Sequence, residues 1–117
     1  MSKLAAKRVY DPRDDKDGQR VLVDRIWPRG IRKAELGDAL WVKDIAPSTA
    51  LRQWFAHRPE RWKEFCKRYW AELDRSKEPV ETLRGLVRKH KVTLLYSAHD
   101  TEHNQAVALL AYLQRRD

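Results

Sequence analysis

The segment Arg-Val-Leu-Val-Asp at residues 20–24 decides the fold, because it is short, β-branched and bounded by loop residues. These properties predict a β-strand. Its unbroken apolar run indicates burial on both faces, which is typical of a parallel sheet. The segment Val-Thr-Leu-Leu-Tyr at 92–96 predicts a second such strand, and 6–10 and 40–42 predict weaker ones. Whether the first two strands are parallel or form a hairpin across the Asp-rich loop at 11–18 stays open.

Three helices are predicted between the two strong strands, and a fourth after the second of them. Their start signals are Ser48 as an N-cap, Pro59, Pro79, and finally Asp100 or Thr101 as an N-cap. Strands that alternate with helices predict an α/β fold. We expect a single domain over residues 1–117 with a small, mainly parallel sheet of three to four strands, about four flanking helices and Rossmann-like layering.

The composition of the 117 residues predicts a globular protein, with 42% hydrophobic residues and five Trp. The one cysteine, Cys66, excludes an internal disulfide, and its place in an apolar stripe predicts an inert core thiol. No apolar run is long enough for a membrane span or a secretory signal, so we expect a cytoplasmic protein without membrane partners. The oligomeric state is not determined by these features.

The net charge of +8 points to anionic ligands. The excess is spread along the chain without a basic tail or a run of like charges, which favours small anions or plain solubility over nucleic acid. No Gly-rich phosphate loop is present, and four Gly in total exclude a dinucleotide fingerprint. We therefore predict no cofactor.

Ligands of parallel α/β sheets bind outside the carboxyl ends of the strands, which selects two segments. The first, at 24–33, offers Asp24 as an acid or base and Arg25 and Arg29 for phosphate or carboxylate oxygens. Trp27 would stack on a ring of the ligand. The alternative interpretation is that Arg25 pairs with a buried carboxylate and Trp27 packs in the core.

The second segment, at 97–104, places His103 and Asp100 as acid and base candidates near a helix start whose free amides would hold an anion. In the alternative, Asp100 only caps the helix and His103 is solvated. An acidic cap would repel an anion, unless Asp100 pairs with Arg25 or Arg29. The four-residue spacing of His99 and His103 suits two metal ligands, but the usual Glu is missing, so we predict no metal site.

A third segment adds Lys43, Ser48 and Arg52 to the same carboxyl edge of the sheet if residues 40–42 form a neighbouring parallel strand. Ser48 would otherwise only cap its helix, and Lys43 would only be solvated.

Five stretches resemble a known family: KRVYDP at 7–12, GQRVLVDRIWPRG at 18–30, WVKDIAPSTALRQWF at 41–55, RWKEFCKRYWAEL at 61–73 and TLLYSAHDTEHNQAVALL at 93–110. They are similar to the YeaO-like branch of the DUF 488 family. The resemblance covers about Lys7 to Leu113 and implies a small cytoplasmic bacterial α/β domain, without implying a particular reaction. Carried over by residue, the family motifs fall on Val23–Gly30, Trp41–Ser48, Leu51–Phe55 and Tyr96–Asn104, and so include Ser97 and Asn104.

These observations predict an anion-binding cleft at the strand carboxyl ends that binds or processes a nucleotide or another phosphorylated small molecule. The predicted anion-binding residues are Arg25, Trp27, Arg29, Lys43, Ser48, Arg52, Ser97 and Asn104. If the protein is an enzyme, it is a cofactor-independent hydrolase or transferase in which Asp24, Asp100 and His103 move protons.

Two alternatives stay open. The first is a non-catalytic nucleic-acid-binding module whose broad basic face includes Lys63, Lys67, Arg84 and Arg88. In the second, the polar motif residues form buried ion pairs that hold the sheet together. The cleft requires that Arg25 and His103 meet at one rim.

Overall fold

Four parallel strands form the sheet in the computed structural model, which describes residues 4–115. They are β1 (Leu4–Arg8), β2 (Gln19–Leu22), β3 (Leu40–Trp41) and β4 (Val92–Tyr96), in the order β1-β4-β2-β3. Because β4 lies between β1 and β2, the first two strands are not a hairpin. The first strand begins and ends two residues earlier than predicted.

Five helices accompany the sheet: α1 (Lys33–Leu36), α2 (Thr49–Phe55), α3 (Trp62–Arg75), α4 (Lys77–Lys89) and α5 (Gln105–Gln114). The predicted α/β class and the mainly parallel sheet are confirmed. Only α1 was not predicted, because four residues are too few to show a helical period in the sequence.

The start of α2 follows the prediction, and the other starts differ. The Ser48 hydroxyl accepts a hydrogen bond from the Leu51 amide at 3.1 Å. Pro59 opens a 3-10 turn, so α3 begins only at Trp62. The helix α4 begins at Lys77, two residues before Pro79, because a proline is tolerated anywhere in a first turn whose amides have no helical acceptor.

The predicted start of the last helix at Asp100 or Thr101 is wrong. The helix α5 begins at Gln105, and its N-cap is Asn104, whose side-chain oxygen accepts from the Val107 amide at 3.0 Å. Residues 100–104 therefore form a loop that follows β4, and His103 lies before the helix rather than in its first turn.

Alternate residues of the central strands enter two separate cores. Val21 and Leu94 pack with α2 to α5 on one face of the sheet. Leu22 and Leu95 face a smaller core on the other side, which α1 closes through Leu36. One face thus carries a thick helical layer and the other a thin cover.

Cys66 is half-buried against the larger core, and burial raises the pKa of its thiol to about 11. A thiol with this pKa stays protonated at neutral pH and is a poor nucleophile. Within residues 4–115, no helix is both long and apolar enough to span a membrane.

Candidate functional site

A cavity of about 740 Å³ lies at the carboxyl ends of β2 and β4. We call it the main cavity. The chain after β2, the chain around α2 and the loop after β4 all contribute to its lining, so Arg25 and His103 line the same space. The two predicted segments meet because parallel neighbours end at the same edge of a sheet.

Asp24 lies buried in this cavity, with 7% of its surface exposed. Burial raises the pKa of its carboxyl, while hydrogen bonds from Ser97 and Gln105 and the charge of Arg52 oppose the rise. The Gln105 side-chain nitrogen donates to Oδ1 of Asp24. The carboxyl is therefore held by the protein itself and orders the residues around it.

Arg25 contacts carbonyls rather than a buried carboxylate. Its Nη2 donates to the Ala46 oxygen at 3.0 Å, and its Nε donates to the Pro47 oxygen at 3.3 Å. These neutral acceptors orient the guanidinium without cancelling its charge. The ion-pair alternative for Arg25 is wrong among the described residues.

Trp27 both lines the main cavity and packs against the smaller core. Its indole nitrogen donates to the Ile31 oxygen at 2.6 Å, and its ring meets that of Trp41 edge-on at 5.3 Å. The indole is thus fixed by the protein before any ligand is present. Arg29, two residues on, also lines the cavity and is exposed.

Arg52 reaches the main cavity from α2. Its Nε is buried and has no hydrogen-bond partner among the described residues. Its Nη2 makes one long contact of 3.4 Å to the Thr49 hydroxyl. An incompletely bonded, half-buried guanidinium is costly, and a bound anion would offset part of that cost.

Asp100 and His103 form a pair at the cavity wall. The Nδ1 atom of His103 lies 3.0 Å from Oδ2 of Asp100, and the His103 ring meets Trp62 edge-on at 5.3 Å. Oδ1 of Asp100 accepts from the amides of Glu102 and His103. The amides of Glu102 and His103 are therefore occupied, and Asp100 pairs with His103 rather than with an arginine.

Ser97 and Asn104 line the main cavity, and both form hydrogen bonds with other residues of the protein. Ser97 donates to Asp24. Asn104, with 2% of its surface exposed, caps α5, and its side-chain nitrogen donates to the backbone carbonyl oxygen of Asp100 at 2.8 Å.

Lys43 and Ser48 lie outside the lining of the main cavity, contrary to expectation. The Lys43 ammonium sits 5.4 Å from the centre of the exposed Trp41 ring. The Ser48 amide and hydroxyl donate to Glu72 at 2.9 and 2.6 Å. The strand β3 has only two residues, Lys43 lies in the 3-10 turn after it, and Ser48 caps α2.

Sequence reasoning missed His57 and Gln105, both of which line the cavity. His57 follows α2 in a left-handed conformation with φ 56°, directly after Ala56 with φ 49°. Such conformations favour glycine, so Ala-His gave no turn signal. Among residues 4–115, no three His, Cys, Asp or Glu side chains are grouped as metal ligands.

Residues 3–116 match the family model described as the inactive DUF488-N3 subclade. The chain belongs to this subclade. The match confirms the resemblance to the DUF 488 family, and curated relatives support its YeaO-like branch.

One such relative is the uncharacterized protein YeaO of Escherichia coli (strain K12), which is 42% identical to this subclade member over 95% of this chain and 96% of its own length. Another is the uncharacterized protein Rv3073c of Mycobacterium tuberculosis (strain ATCC 25618 / H37Rv), which is 44% identical over 98% and 97%. No solved structure matches the chain.

Proposed function

We propose that the protein binds a nucleotide, or another phosphorylated small molecule with a flat ring, in the main cavity. The observation that carries this proposal is the guanidinium of Arg52, which has a buried Nε without a partner among the described residues. Asp24 interacts with the charge of this guanidinium, and an anion placed in the cavity would accept hydrogen bonds from the Nη atoms, which the protein itself leaves partly unbonded.

Two further guanidinium groups support an anionic ligand. Arg25 is oriented by two carbonyls, and the Arg29 side chain has no hydrogen-bond or ion-pair partner among the described residues. Arginine binds phosphate and carboxylate oxygens with two parallel donors. Three such groups around one cavity favour a ligand with a phosphate over a neutral one.

Aromatic walls support a ligand with a ring. Trp27, Phe55, His57 and Phe65 all line the cavity, and its volume of about 740 Å³ is within the usual range for small-molecule sites. Phe55 and Phe65 are buried, whereas the half-buried Trp27 ring, which the protein holds in place, would bind a flat base without having to be ordered first. A nucleotide presents both a base and a phosphate, and it fits the cytoplasmic location predicted from the sequence.

Catalysis is the second candidate function, and the contact between Asp100 and His103 favours it. A carboxylate at Nδ1 orients an imidazole and leaves Nε2 to exchange a proton. The reaction would be a hydrolysis or a transfer without a cofactor. The description of the subclade as inactive favours binding instead.

A broad basic face has less support. Arg88 pairs with Glu81 at 3.1 Å, and the Arg84 guanidinium lies over the Tyr112 ring at 5.6 Å. These contacts use side chains that such a face would need to present to phosphates.

The test is calorimetric titration with nucleoside 5′-monophosphates, the matching nucleosides and inorganic phosphate. We expect the monophosphates to bind more tightly than either half of the molecule. Arg52→Gln should weaken the binding about tenfold, which corresponds to about 1.4 kcal/mol. Arg29→Gln, a change at an exposed position that does not threaten folding, should weaken it several-fold.

Arg32→Gln is the matched control, because its side chain is 87% exposed and does not line the main cavity. Failure of every probe to bind, or equal affinities in the Arg29 and Arg32 variants, would overturn the proposal. Turnover of a bound monophosphate that is lost in His103→Asn would replace binding by catalysis as the function.

A further inference from the structure

Two smaller cavities of about 330 Å³ each lie near the main cavity. The second cavity shares Arg25 and Ala46 with the main cavity. The third cavity shares Ser48, Glu72 and Arg75 with the second. Cavities that share lining residues are adjacent, so the three lie in a row from the carboxyl edge of the sheet across α2 and α3, and we call this row the path.

Arginines mark both junctions of this path. Arg25 stands at the first junction and Arg75 at the second. The Arg75 side chain is exposed and forms no ion pair or hydrogen bond with another described residue. Two carboxylates, Asp44 and Glu72, also line the second cavity, and the Ser48 amide and hydroxyl donate to Glu72. Two cations at successive junctions fit a ligand with repeated negative charges better than a ligand with one.

Trp54 lines the third cavity, and two guanidinium groups flank its ring. Arg68, which also pairs with Glu64, lies 4.2 Å from the ring centre, and Arg61, which also donates to the Trp54 backbone oxygen, lies 5.2 Å from it. Aromatic rings and guanidinium planes are the surfaces on which unpaired bases stack. Stacking of this kind is tolerant of sequence, because every base has a flat face.

We propose that the nucleotide in the main cavity belongs to a single-stranded nucleic acid, whose next nucleotides follow the second and third cavities past Arg25 and Arg75 to Trp54. This inference rests on the proposed function, because the main cavity holds the first nucleotide. It differs from a broad basic face, since the strand is confined to one path on α2 and α3.

The experiment compares nucleoside 5′-monophosphates with short DNA and RNA strands of mixed sequence at two salt concentrations. For the wild-type protein, we expect a strand to bind at least tenfold more tightly than a monophosphate. In Arg75→Gln, the strand affinity should fall several-fold and the slope of log affinity against log salt should become shallower by about 0.7. The monophosphate affinity should not change.

Arg88→Gln is the matched control, because Arg88 lies on α4 and does not line any of these three cavities. Equal losses in the Arg75 and Arg88 variants would favour a broad basic face and overturn the path. Strands that bind no more tightly than monophosphates would overturn it too, but would leave the proposed function intact. Failure of both probes would instead refute the proposed function.

Discussion

The imidazole of His103 is tied to Asp100, with 3.0 Å between Nδ1 and Oδ2, in the loop that joins β4 to α5. The second oxygen of the same carboxylate accepts from the amides of Glu102 and His103. One side chain therefore shapes the loop backbone and orients the imidazole. Asp24 lines the same cavity and accepts hydrogen bonds from Ser97 and Gln105 instead, and the pKa values of the two carboxyls are shifted in opposite directions.

The hydrogen bond from the Glu102 amide, followed by the contact with His103, lowers the pKa of Asp100 below its usual 3.8. A carboxyl of this kind stabilises the fold above its unfolded-state pKa, and that contribution is lost as the pH falls through the folded-state pKa. Asp100→Asn should lower the free energy of unfolding at neutral pH. The difference from the wild type should narrow below about pH 4. Urea denaturation from neutral to acid pH measures this.

Glu102→Gln is the control for Asp100, because Glu102 is exposed and only its backbone amide contacts the carboxylate. Its curve should follow the wild type throughout. If the free energies of unfolding of Asp100→Asn and the wild type differ by the same amount at all pH values, the charge of Asp100 does not make the expected contribution.

Asp24 should behave in the opposite way, because burial raises its pKa above 3.8. Its stabilising contribution is present below the unfolded-state pKa and is lost as the pH rises through the folded-state pKa. Asp24→Asn should therefore become more stable relative to the wild type as the pH rises from about 3.8. Altered hydrogen bonds to Ser97 and Gln105 add an offset that does not depend on pH. If the free energy of unfolding of Asp24→Asn relative to the wild type instead falls as the pH rises, as expected for Asp100→Asn, then burial does not dominate the pKa of Asp24.

The turn after α2 predicts a third outcome. Ala56 has φ 49° and ψ 36°, a left-handed conformation that costs an L-residue about 1–2 kcal/mol and glycine much less. Ala56→Gly should raise the free energy of unfolding by about 0.5–1 kcal/mol after the added entropy of the unfolded chain is subtracted. Thermal unfolding measures the change as a higher Tm.

Ala71→Gly is the matched control, because Ala71 is exposed within α3 and has ordinary helical neighbours. It should lower the free energy of unfolding by about 1 kcal/mol. If both glycine variants lose stability equally, the turn that carries His57 to the cavity is not strained.

Local signals explain why parts of the fold were predictable. The apolar runs around Val21 and Leu94 predicted strands buried on both faces, and both residues are fully buried. Ser48 after Pro47 marked the start of α2, since its hydroxyl satisfies a free amide of the first turn. In contrast, the sequence predicted Asp100 as a possible N-cap. Its carboxylate instead accepts from an amide of the loop, and the similar side chain of Asn104 caps α5. The sequence alone does not decide which of two capping residues four positions apart begins a helix, because that choice depends on how the helix packs.

The sequence by itself determined the two buried strands, the main helices and the pair of segments at the carboxyl edge, because hydrophobic period and capping are local properties. The tertiary structure alone decided which side chains share the main cavity. It brought Arg52 and His57 to the site and left Lys43 and Ser48 outside, although all four lie within 15 residues of one another. The reason is that the direction of a side chain at a sheet edge depends on turns and strand lengths. A two-residue β3 and a left-handed turn after α2 changed those directions without a signal in residue type.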